Sequence, residues 1–196
     1  DVLAHVQQMR EPLLRIVGLE LCVVYYALFA RARPPQHARE HAFETGRNAR
    51  QLLVVLGMVS VLEAIALHVI LHAYWPVLAW LMLALSTYAL LWIVAAHRAC
   101  RLRPLLVLPE RLLVRVSLLF SASVERDAIV RIEPYLARGR EPGTARVTFA
   151  SEPNVLISLR EPTAIYGLFG RVQRANHIAL HVEEPQRLLD LLSASA

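Results

Sequence analysis

Residues 51–98 read QLLVVLGMVSVLEAIALHVILHAYWPVLAWLMLALSTYALLWIVAAHR. Two apolar runs, 51–73 and 77–97, are parted only by Tyr74, Trp75 and Pro76. A helix rising about 1.5 Å per residue needs about 20 apolar residues to cross a hydrocarbon core, and each run supplies them. Between Arg50 and Arg98 there is no arginine at all. A short break containing proline turns such a pair into a hairpin. The solvent of this stretch is therefore expected to be lipid.

Composition points the same way. The chain is 56% hydrophobic and 19% charged, more apolar than an ordinary soluble domain. Every one of its 21 basic residues is arginine, a bias expected of a GC-rich, bacterial genome. Residues 1–103 hold ten arginines and six acidic residues, and residues 104–196 hold eleven and ten. The basic excess thus belongs to the apolar part and its flanks. That suits topology and anionic headgroups, and it argues against a nucleic-acid partner.

Orientation follows from the arginines. Arg31, Arg33, Arg39, Arg47 and Arg50 fill the loop 31–50; Arg98, Arg101 and Arg103 follow the second run. The hairpin tip carries none. The positive-inside rule puts both flanks in the cytoplasm and the tip outside, with the inner bacterial membrane as location. These eight arginines are the candidate surface for lipid headgroups or an acidic partner; setting topology alone is the competing reading.

The segment 12–30 is also long and apolar but contains Arg15 and Glu20. We read it as a third span, running inward, with a surface-lying amphipathic helix as the alternative. Residues 1–11 lack the apolar core of a signal peptide. Cys22 and Cys100 fall at different depths and are expected to be free thiols.

After Pro104 the period changes to two. Leu112, Val114 and Val116 alternate with Arg111, Leu113 and Arg115; Ile178, Leu180 and Val182 alternate with Ala179 and His181. Further strands are expected at 105–108, 118–124, 128–133, around 146–149 and at 155–159. Pro109-Glu110, the stretch Gly139 to Gly143, and Glu152-Pro153-Asn154 mark turns. Pro185 opens a closing helix whose Leu188, Leu189, Leu191 and Leu192 form an apolar face. Two parts result: an anchor, 1–103, with helices at 12–30, 51–73 and 77–97 around a basic loop 31–50; and a β-rich cytoplasmic domain, 104–196.

Several stretches carry a resemblance. They are Arg103-Pro104-Leu105 opening the first strand, Val124-Glu125-Arg126-Asp127-Ala128-Ile129 before another, Leu159-Arg160-Glu161-Pro162, and 178–185 leading into the last helix. With Glu63, His68 and Ala79-Trp80 in the hairpin, the chain resembles a set of small uncharacterised bacterial integral membrane proteins. In these a transmembrane hairpin is followed by a PH-like domain. The resemblance implies a PH-like split barrel with a C-terminal helix on a membrane anchor, and no particular chemistry.

Few residues suggest chemistry of their own. His68 and His72, four apart, share a helix face and are the candidates for a metal or haem; interfacial polar residues are the plainer reading. Glu20, Glu63, Ser86, Thr87 and Tyr88 fall near the middles of their spans. They are expected to form one polar cluster that locks the helices together, with a proton or ion relay as the alternative. No P-loop, nucleophile elbow or zinc spacing is present. The expectation is a non-enzymatic membrane interaction protein without a cofactor, an accessory or assembly subunit of a larger complex. Its partners would be lipids and other membrane proteins or copies of itself. A small cofactor-binding or ion-handling protein built on His68, His72, Glu20 and Glu63 is the alternative.

Overall fold

The computed structural model describes residues 6, 12–30, 41–136, 143–168 and 171–193, with the backbone alone at 12, 13, 15 and 193. Arg31, Arg33 and Arg39 lie outside the described residues. Helix α1 (Pro12–Val24) continues as a π-helical turn, Tyr25–Phe29. Helices α2 (Arg47–Tyr74) and α3 (Pro76–Leu102) make the hairpin.

The hairpin is tighter than the sequence suggests, because Trp75 alone joins its arms. Its N–H donates to Leu71 O at 2.7 Å, ending α2, and its carbonyl accepts from Ala79 N–H at 3.0 Å, starting α3. Pro76 takes the first helical position of α3, where a missing N–H costs no hydrogen bond. The arms have 28 and 27 residues. That corresponds to about 42 and 40 Å, more than a hydrocarbon core alone. Both helices are long and apolar enough to cross a membrane, and only 11% and 6% of their most apolar windows are buried in the fold. A core helix of a soluble protein is mostly buried; these are not.

Small residues let the helices approach. Ala64 of α2 and Ala79, Ala95 and Ala99 of α3 are all buried. Helix α1 packs on α3, and Leu19, Cys22, Val23, Tyr26 and Ala27 join Ala95 and Ala99 in one cluster. Glu20 meets Tyr88, and the carbonyls of Ala27 and Ala30 meet Arg98. Rising numbers on α1 match rising numbers on α3, so the two run in the same direction.

Among the described residues eight strands form one mixed sheet: β1 (Ala42–Phe43), β2 (Leu105–Val107), β3 (Arg111–Val116), β4 (Phe120–Glu125), β5 (Ile129–Pro134), β6 (Thr144–Val147), β7 (Val155–Gly167) and β8 (Val172–Leu180). Helix α4 (Pro185–Ser193) closes the described chain. The alternating face of β3 points inward: Leu112, Val114 and Val116 are buried with Leu105, Val124, Ile157, Ile178 and Leu180. Leu188 and Leu192 of α4 insert into that core, as their spacing requires.

Three expectations need correction. The loop 31–50 is not only a connector. Its Ala42 and Phe43 pair with Leu106 and Leu105, and Phe43 is buried in the sheet core, so the sheet reaches back across residue 103. Helix α2 accordingly begins at Arg47 rather than at 51. Strand β7, expected at 155–159, runs on through Glu161-Pro162 to Gly167. Its pairing with β8 lapses between Ser158 and Thr163, so the missing proline N–H falls where no ladder bond is made. The first half of β7 pairs with β5 and its far end with β4, so one long strand serves two neighbours.

Candidate functional site

Arg98, Arg101 and Arg103 close α3, and the fold sends them to three different places. Arg98 turns to α1, donating Nη1–H to Ala27 O at 2.6 Å and Nη2–H to Ala30 O at 3.0 Å. A helix ends with carbonyls that lack partners, and a cation there satisfies both the hydrogen bonds and the helix dipole. Arg101 is exposed. Arg103, expected at a lipid or partner surface, is instead 2% exposed.

The Arg103 guanidinium donates to the carbonyl of Ser117, in the turn between β3 and β4. Ser117 is also buried and holds φ at 51°, a left-handed conformation that costs a non-glycine residue on the order of 1 kcal/mol. The contacts that hold it there come from α3. Its Oγ–H donates to Ala96 O at 3.0 Å. The next residue, Leu118, expected in a strand, is 1% exposed and plugs between α1 and α3 beside Tyr26 and Ala99. One turn of the sheet is therefore bolted to the helices by two hydrogen bonds, one of them from a buried cation, and an apolar plug.

The junction is electrostatically demanding. Burial pulls the Arg103 guanidinium below its usual pKa. Burial, with the Arg103 charge nearby, brings Arg115 down to about 10, so Arg115 still carries its charge at neutral pH. The Thr45 hydroxyl donates to the Arg115 carbonyl at 3.4 Å, tying the segment before α2 to β3 as well.

The expected polar cluster forms only in part. The Tyr88 hydroxyl donates to Glu20 Oε2 at 2.7 Å and accepts from Trp92 Nε1–H at 2.9 Å. Thr87 instead bonds its own helix, at Leu83 O, 2.8 Å away. Glu63 does not join. It is exposed on α2, and no hydrogen bond to it is found among the described residues. Helix α1 packs on α3, which brings Glu20 to Tyr88.

His68 and His72 do sit together, with ring centroids 5.4 Å apart, and His68 lies edge-on to Trp80 at 5.1 Å. His68 Nδ1 is 3.3 Å from Ala79 O, so it serves α2–α3 packing. Among the described residues no group of three or more His, Cys, Asp or Glu side chains is placed to hold a metal ion. Of the other basic candidates, Arg50 pairs with Glu44 at 2.9 Å. Arg47 lies beside Glu183, which also accepts the Arg47 backbone N–H at 3.2 Å. Both are engaged in holding the start of α2 to the sheet domain.

A groove of about 570 Å³ lies between β5 and α4, lined by Arg126, Asp127, Val130, Arg131, Leu189 and Asp190 among others. Its charges alternate in sign, which gives it no preference for either. The chain matches no family model, no curated protein and no solved structure.

The sequence missed the role of Ser117, Leu118 and Arg103. Their only signal is an arginine directly before a proline and a serine at a strand end, both common in exposed turns.

Proposed function

We propose that this chain is a bacterial integral membrane interaction protein, an accessory or assembly subunit that holds a PH-like β-domain rigidly against the cytoplasmic membrane face. The observation that carries this reading is the junction at Arg103, Ser117 and Leu118. A flexible tether would leave a polar, solvated linker; here the sheet and the helices share a buried contact. A partner that touches both the helices and the domain then binds two surfaces already set in one orientation, which raises effective affinity without a deep pocket.

Three spans fit this arrangement. Helix α1 runs beside α3 in the same direction, and Arg98 satisfies its terminal carbonyls at the arginine-rich end. The positive-inside rule makes that end cytoplasmic. The PH-like assignment rests on the seven strands after residue 104 followed by one helix among the described residues.

Purification of the full chain from native membranes in mild detergent tests the reading. A stoichiometric membrane protein should accompany it and be lost when a flexible Gly/Ser insert follows Arg103. Purification alone, or retention of the partner despite the insert, refutes the proposal.

A further inference from the structure

The turn between β3 and β4 and the turn between β7 and β8 lie side by side, because Phe120 pairs with Gly167 and Ser121 with Tyr166. Both reach the helices. Leu118 is buried with residues of α1 and α3, and Leu168 packs against the same cluster. That is the arginine-rich end of α3, which in a spanning helix stands at the level of the headgroups. A pocket of about 460 Å³ lies between the two turns, lined by Leu119, Phe120, Ile165, Leu168, Arg171 and Gln173 among others. Its walls are mostly apolar, and Arg171 is the one charged residue that lines it. Gly167 N–H donates to Arg171 O at 2.6 Å, which closes the turn and fixes where the arginine starts. The side chain is exposed and makes no ion pair or hydrogen bond among the described residues.

We propose that this pocket holds the headgroup of an anionic phospholipid, with its phosphate on Arg171 and its glycerol and first chain carbons against Leu119, Phe120 and Leu168. Charge favours that occupant. Residues 112–124 and 162–182, which contain the two turns, carry Arg115, Arg171 and Arg174 without one acidic residue; the rest of 104–196 carries eight arginines and ten acidic residues. The acidic side chains are thus kept away from the end of the domain that touches the helices, as an anionic surface requires. Shape favours it too. A guanidinium matches phosphate oxygens, and an apolar wall beside it suits a ligand charged at one end and greasy at the other. The groove between β5 and α4 has both signs of charge and no contact with the helices to set it at that level. A lipid is also the neighbour already present at a helix end, so none has to be recruited from solution. This assignment rests on the membrane-anchor reading of the chain, not on the identity of any protein partner.

Native mass spectrometry of the full chain in mild detergent, offered phosphatidylglycerol and phosphatidylcholine with the same acyl chains, tests it. Phosphatidylglycerol should be retained in preference. Arg171→Gln should cut its retention about five-fold, the worth of one arginine at an anionic surface, while Arg171→Lys keeps most of it. Arg174 stands opposite Ala164, whereas Gln173 of the pocket stands opposite Ile165, so Arg174 projects from the other face of β8. Arg174→Gln should therefore change retention less than about two-fold. The thermal midpoint of Arg171→Gln should match that of the unsubstituted chain, since no contact of the guanidinium is lost. Equal retention of the two lipids, or equal losses in Arg171→Gln and Arg174→Gln, overturns the assignment. So does an Arg171→Gln variant that keeps its lipid but loses an accompanying protein, which would make the pocket a protein site. Lipid preference without a co-purifying subunit would sink only the accessory-subunit reading; a co-purifying subunit without lipid preference would sink only this one.

Discussion

Arg103→Ala should loosen the sheet domain from the helices. The substitution deletes a hydrogen bond from a cation to a buried carbonyl, worth about 1.5–3 kcal/mol. It also empties the space of the stem, in a site only 2% exposed. Burial opposes this, because a desolvated guanidinium is itself costly and its removal recovers part of that cost. The balance is a loss of about 2–4 kcal/mol. Arg103→Met keeps most of the stem and loses the bond, so its cost is about 1–2 kcal/mol. The reporter is the Leu119 N–H, bonded to Val116 O at 3.0 Å in the same turn. If opening of the junction governs its exchange with deuterium, Arg103→Ala should speed it by about 30-fold or more. The midpoint of thermal unfolding in mild detergent should fall by about 5–10 °C. Arg101→Ala, at an exposed position two residues away, is the control and should cost under about 0.5 kcal/mol. If Arg103→Ala behaves as Arg101→Ala does in both measurements, the buried junction is not what couples the two parts.

Tyr88→Phe removes the donor to Glu20 and the acceptor for Trp92, and should weaken the packing of α1 on α3 by about 1 kcal/mol; a cycle with Glu20→Gln that shows no coupling would refute this. Asn154 bridges to Val182 through both its side-chain oxygen, at 3.0 Å, and its side-chain nitrogen, at 2.8 Å. Asn154→Asp keeps the acceptor but turns the donor into a carboxylate oxygen facing the Val182 carbonyl, so it should destabilise the domain by about 2 kcal/mol in a denaturant titration. It should be worse than Asn154→Ala, which leaves no such repulsion; the opposite ranking rules out the bridge. In whole cells, Trp75→Cys should react with an impermeant thiol reagent while Val130→Cys, exposed on β5, stays unlabelled; the reverse pattern would invert the proposed topology.

The hairpin was legible because length and apolarity act locally: the stretch 51–97 holds no arginine, and it makes up most of two helices of 28 and 27 residues. Alternation in β3 and β8, and the leucine face after Pro185, were legible for the same reason, since a period is a property of neighbouring residues. What period cannot convey is which element a side chain meets. Arg98, Arg101 and Arg103 look alike in the chain, and only packing separates a helix cap, an exposed cation and a buried bolt. Ala42 and Phe43 carry too short a pattern to announce a strand; pairing with Leu106 and Leu105 makes them one. Glu20 and Glu63 share a depth that could be counted from the sequence. Whether they share a site depends on which side of the hairpin α1 chooses, and that is decided by the small residues of α3 and by Arg98, through contacts between segments about 70 residues apart.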